Sequence, residues 1–150
     1  METAIATVPG AQPTHEQRLA YTLLRLFAGL DYFGHGYVRI FTGKFLPGFA
    51  NGLQQAMSTA PLDPNLVYTL GFVIPVVELV VGSLLLLGIF TRWTLFAAYS
   101  LMFLLLFGTT MKQDWTAASE QLLYALVLSL LLVGREKYNL SWAAIFRRQR

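Results

Sequence analysis

Residues 66–90 read LVYTLGFVIPVVELVVGSLLLLGIF, and Glu78 is the sole acidic or basic side chain among them. A helix needs about 20 mostly apolar residues to cross a hydrocarbon core of ~30 Å, so this stretch is long enough to cross with tilt. Its start is marked by Asp63-Pro64, an N-cap residue followed by proline at the first helical position. Its end is marked by Gly88 and a tight turn at Thr91-Arg92. Residues 93–111 follow at once with no acidic or basic group, which makes them an antiparallel neighbour.

Working outward, residues 19–41 are apolar apart from Arg25, Asp31, His35 and Arg39. Residues 119–134 hold the apolar run 122–133, which needs its flanks to cross; Asp114-Trp115-Thr116 opens this helix and Gly134 ends it. The connection 42–65 carries Phe49, Leu53 and Met57 at i, i+4, i+8, the spacing of a short helix lying in the interface. The expected fold is an all-α membrane protein: a four-transmembrane-helix antiparallel bundle with a short interfacial helix in its first outer loop. Residues 1–18 form an N-terminal tail, 19–134 the transmembrane domain, and 135–150 a basic C-terminal tail.

Composition agrees. Of 150 residues, 55% are hydrophobic and 13% charged, where a soluble domain carries about 25% charged. Disorder, collagen-like repeats and a soluble α/β enzyme are excluded. With no cysteine there is no disulfide framework, thiolate metal site or reactive thiol. The net charge is +3, but five of the eleven basic residues lie at or beyond Arg135, a distribution that speaks for membrane orientation and against nucleic acid. Arg18, Arg92, Arg135, Lys137, Arg147, Arg148 and Arg150 fall on one side; Lys44, Lys112 and Arg39 fall on the other. Both termini are therefore expected in the cytoplasm. The first 17 residues lack the apolar core of a cleavable signal peptide.

Charged groups inside spans are costly and normally face the bundle interior with a partner. Glu78 is central in its span, and centring residues 19–41 at Leu30 brings Asp31 to the same depth. Asp31, His35 and Arg39 repeat every four residues on one helix face, with Phe27 on the same stripe; Arg25, Gly29, Tyr32 and Gly36 form a second face, where glycine permits close approach. On this alignment Arg25 pairs with Glu78, and Asp31 with His35 or Arg39. Two carboxylates at one depth also make a proton-carrying role available. Buried ion pairs can equally just set helix register. Tyr68, Asp114, Trp115, Gln121 and Tyr124 gather at the outer level with His35 and Arg39, although singly they read as belt, cap and packing residues. Together they suggest an outward-facing polar pocket. His35 as a haem ligand would need Met102 or Met111 as axial mate, or would stay five-coordinate. No phosphate loop, GxGxxG, GxSxG, HExxH or metal-ligand cluster occurs.

These residues also form a family pattern. Leu24-Arg25 with Gly29, then His35-Gly36 with Arg39, resembles the opening helix of the DoxX family. Pro75-Val76-Val77-Glu78, Gly82, the run to Gly88, and Thr91-Arg92 resemble its second helix and turn. Asp114-Trp115 and Gly134 ahead of Leu140-Ser141 are similar too. The resemblance implies a small four-helix protein of a bacterial-type inner membrane. That family includes the DoxD-type subunit of thiosulfate:quinone oxidoreductase, which implies an oxidoreductase or a subunit of one. On that reading His35, Glu78 and Arg25 are catalytic. Asp31, Tyr32, Arg39, Tyr68, Asp114, Trp115, Gln121 and Tyr124 bind substrate, either quinone or a small sulfur anion. Quinone is the expected cofactor, with haem left open and no metal. The expected partners are the lipid bilayer and either other redox subunits or further copies of the chain. A non-catalytic accessory subunit and a small-solute or proton transporter are the alternatives.

Overall fold

The computed structural model describes residues 12–42 and 45–138. Lys44, the tail up to residue 11, and residues 139–150 with their three arginines lie outside the described residues. Five helices follow in order: α1 His15–Phe41, α2 Phe45–Ala56, α3 Pro64–Leu87, α4 Thr91–Met111 and α5 Trp115–Tyr138. There is no strand among the described residues. Of the five helices, α3, α4 and α5 are long and apolar enough to cross a membrane. The long helix that misses on apolarity is α1, which carries Arg18, Arg25, Asp31 and Arg39, and not the last, whose flanks extend it at both ends.

Local signals account for most boundaries. Thr14 and Gln17 form a reciprocal capping box on α1. Asp63 accepts the amide of Asn65 at 2.8 Å, with Pro64 at the first helical position. Gly88 closes α3 in the left-handed region at φ +67°, while the amide of Ile89 donates to Leu84 O at 3.2 Å. The turn thus lies at residues 88–90, one step earlier than expected, and Thr91-Arg92 open α4. Gly134 does not end α5. The helix runs on to Tyr138 because Gly134 is a packing position: a Cβ there would meet Tyr21 Cδ2 at 2.9 Å.

Helices α1, α3, α4 and α5 pack as successive neighbours around a ring, and α1–α3 is the most extensive contact. That contact runs through the glycine face of α1. A Cβ on Gly29 would lie 2.9 Å from Leu86 N, one on Gly36 would overlap Pro75 and Leu79, and one on Gly82 would overlap Phe33. The short helix α2 docks on α3 where Ala50, fully buried, fills the space left by Gly71. The core holds Tyr32, Ile74, Leu85, Leu95, Leu128 and Leu131. The outer surface is apolar, with Phe103 74% and Val133 84% exposed, the reverse of a water-soluble bundle.

Candidate functional site

The axial register of α1 on α3 decides which charges meet. Gly36 lies against Leu79 and Pro75, and Gly29 against Leu85 and Leu86. Residue 36, not Leu30, is therefore level with Glu78, a slide of about 9 Å by helical rise from the centred alignment. The expected Arg25–Glu78 pair is accordingly absent. Arg39 takes the role: its Nη1 donates to both carboxylate oxygens of Glu78. The Glu78 side chain is 4% exposed and that of Arg39 27%. The Arg39 guanidinium also lies over the Phe49 ring, 4.7 Å from its centroid, so α2 supports the pair from above.

One turn along the stripe, His35 Nδ1 lies 2.9 Å from the carbonyl oxygen of Asp31 and 3.5 Å from its carboxylate. Both are acceptors, so Nδ1 carries the hydrogen and Nε2 of the neutral ring is the free acceptor. The Tyr124 hydroxyl donates to Asp31 Oδ1 at 3.3 Å, tying α5 to α1. Thr109 donates to Gln121 Oε1 at 2.8 Å, which holds that amide in place from α4.

Asp31, Tyr32, His35, Arg39, Glu78, Gln121 and Tyr124 converge on one cavity of about 200 Å³ between α1, α3, α4 and α5. Met102, Leu105, Ala117 and Glu120 complete its wall. A wider open groove of about 440 Å³ on α1 shares Asp31, His35 and Arg39 with it and continues past Leu30, Gly34 and Val38. Leu30 and Val38 are exposed, so the groove opens on the apolar outer surface. Four expected site residues lie elsewhere. Arg25 sits beside Gly88 at the opposite end of the bundle. Tyr68 packs edge-on against Phe72, with ring centroids 5.2 Å apart. Trp115 is 66% exposed, as suits an interfacial aromatic. Asp114 caps α5 by accepting the Ala117 amide at 3.2 Å, with Lys112 Nζ at 3.4 Å. Those two donors hold its carboxyl below the usual range.

The α5 wall was readable from α5 alone, since residues 117, 120, 121 and 124 are one i, i+3, i+4, i+7 stripe. Met102 and Leu105 carried no such mark, because α4 is apolar on all sides.

The family model for DoxX matches residues 20–113, more than half of the chain, and stops before the α5 wall of the cavity. No curated protein and no solved structure matches. The matched region runs from α1 through the end of α4, including the helix stripe with His35 and Arg39 and the α3 segment with Glu78, and on this basis the chain belongs to the DoxX family.

Proposed function

We propose that this chain is a multi-pass protein of a bacterial-type inner membrane that binds a quinone headgroup in the cavity at Asp31, His35 and Tyr124, as a redox enzyme or a subunit of one. In this reading α1 is the first of four crossings and both termini lie in the cytoplasm. The observation that carries the proposal is the meeting of polar groups from α1, α3 and α5 in one cavity whose mouth is a groove on an apolar surface. A lipid-borne ligand reaches such a mouth without leaving the bilayer.

The chemistry of the lining fits a quinone ring. Met102 and Leu105 offer apolar contact for its faces, while His35, Gln121 and Tyr124 offer polar contact for its oxygens. A bound quinone supplies two-electron chemistry coupled to two protons. On the protein side, His35 Nε2 is the atom placed to accept a proton from a hydroxyl at the mouth. Asp31 holds the ring by its Nδ1–H, which fixes the tautomer and orientation of the imidazole. A small sulfur anion drawn by Arg39 is the weaker reading, because Glu78 already matches that charge. The chain has no cysteine, so electrons reach the cavity from a second bound substrate or from a partner subunit.

The test is the quinone content of the purified chain and its affinity for a short-chain quinone. His35→Ala removes a polar contact, and Gly34→Leu fills the groove from a position with nothing within 4 Å of its Cβ site. Each is expected to weaken binding by about tenfold or more. Equal content and affinity in His35→Ala, Gly34→Leu and Glu78→Gln would overturn the proposal.

A further inference from the structure

With Glu78 claimed by Arg39, the opposite end of the bundle has, among the described residues, one ion-paired arginine, Arg135 with Glu136, and two others, Arg18 and Arg25, without a carboxylate partner. Arg25 is 3% exposed, yet its Nε and Nη1 are buried without any hydrogen-bond partner. Among the described residues, every buried side-chain nitrogen or oxygen in that condition belongs to Arg18, Arg25 or Arg135. Two helices, α1 and α5, carry these arginines. Arg18 and Arg25 are seven residues apart on one face of α1, and Tyr21 between them is within electrostatic reach of both Arg25 and Arg135. The Tyr21 hydroxyl donates to Leu131 O at 3.1 Å, and its ring packs where Gly134 has no side chain, which brings α5 against this face. The Arg25 guanidinium occupies the space beside Gly88 that a Cβ would fill.

Arginine does not lose its proton in proteins, so burial cannot neutralise Arg25 and a counter-charge is required. Among the described residues, the one carboxylate paired here is Glu136, which accepts from Arg135 Nη2 at 2.6 Å and is 81% exposed on its side chain; Arg25 and Arg18 are left without one. Residues 139–150 contain no acidic side chain, and residues 1–11 contain only Glu2. Among the described residues, no carboxylate pairs with Arg18 or Arg25.

We infer that Arg18, Arg25 and Arg135 form a binding site for a phosphate group, supplied by an anionic lipid headgroup or by free phosphate. Guanidinium N–H groups arriving from α1 and α5 match the several acceptor oxygens of a phosphate better than a single carboxylate does. The level is that of a headgroup: Phe90 and Trp93, 73% and 69% exposed, stand at the same turn as Gly88, where interfacial aromatics collect. Basic pockets between spanning helices are known headgroup sites. The site is separate from the cavity at His35 and does not depend on the quinone reading.

The experiment measures thermal unfolding of the full chain in a phosphate-free maltoside detergent, with added phosphatidylglycerol, diacylglycerol or inorganic phosphate. Phosphatidylglycerol is expected to raise the midpoint by about 5 °C, diacylglycerol not to, and Arg25→Gln and Arg135→Gln to lose the rise. Native mass spectrometry should show a phospholipid retained by the wild type and lost from both variants. A rise with inorganic phosphate alone would support the site and assign its anion to the aqueous phase. Equal midpoints for the wild type under all additions, or an undiminished rise in Arg135→Gln, would overturn the inference even if Arg25→Gln fails to fold.

Discussion

Removing either half of the Arg39–Glu78 pair leaves a different orphan. Without Arg39 the carboxylate of Glu78 stays sealed at 4% exposure, whereas without Glu78 the guanidinium is already 27% exposed and still lies over Phe49. Breaking a buried pair from one side costs ~3–5 kcal/mol. Arg39→Met should therefore destabilise by about 3 kcal/mol, and Glu78→Gln by about half as much. The double change Arg39→Met with Glu78→Leu should recover most of the loss. Unfolding midpoints of the three variants decide this; equal losses for the two single changes would mean that the exposure difference has no consequence. His35 is governed by a single residue as well. Its tautomer is set by the Asp31 carbonyl four positions earlier on the same helix, a local arrangement that survives any shift of α1 against its neighbours.

Between elements, the glycines hold the register. Gly36 and Gly82 leave room for backbone-to-backbone approach of α1 and α3, and Gly34, one helix face away, touches nothing. Gly36→Ala and Gly82→Ala should each cost ~1–3 kcal/mol through overpacking, whereas Gly34→Ala should gain up to about 1 kcal/mol from helix propensity. Chemical or thermal unfolding of the three variants side by side tests this, and a loss in Gly34→Ala equal to the others would refute the assignment of faces. The start of α5 responds to pH. Asp114 is held in its charged form by the Ala117 amide and Lys112, so its carboxyl titrates below the ordinary value of 3.8. A depressed folded-state value means that the cap contributes fully above the ordinary carboxylate range and is lost as pH falls through the depressed one. The protection of the Ala117 amide, its exchange rate relative to the intrinsic rate at the same pH, should be high at neutral pH and fall in acid below the ordinary carboxylate range, while in Asp114→Ala it should be low at both.

At the scale of the whole molecule, the absence of cysteine makes the topology open to single-cysteine labelling. Thr14→Cys before α1, Gln55→Cys at the end of α2 and Glu136→Cys near the end of α5 all place the thiol on exposed positions. If α1 crosses, a membrane-impermeant maleimide applied to intact cells labels Gln55→Cys alone, and the other two react after the membrane is opened. Labelling of Thr14→Cys and Gln55→Cys from the same side would remove α1 from the list of crossings. The outcome bears on the site as well, because the proposed cavity lies at the outer level only if α1 passes from one face of the membrane to the other.

The sequence by itself determined the helices, most of their ends and the division of α1 into a charged stripe and a glycine face. Each of these depends on contiguous residues: about 20 apolar positions, a capping side chain next to its own amide, or a four-residue spacing. The tertiary structure decided how far α1 slides along α3. Hydropathy centring matches midpoints, but packing matches glycines, and the glycines put residue 36 opposite Glu78. That offset made Arg39 the partner of Glu78, brought Asp31 to Tyr124, and left Arg25 beside Gly88. Steric approach between segments some fifty residues apart sets this offset, and no window of the chain contains both sides of that contact.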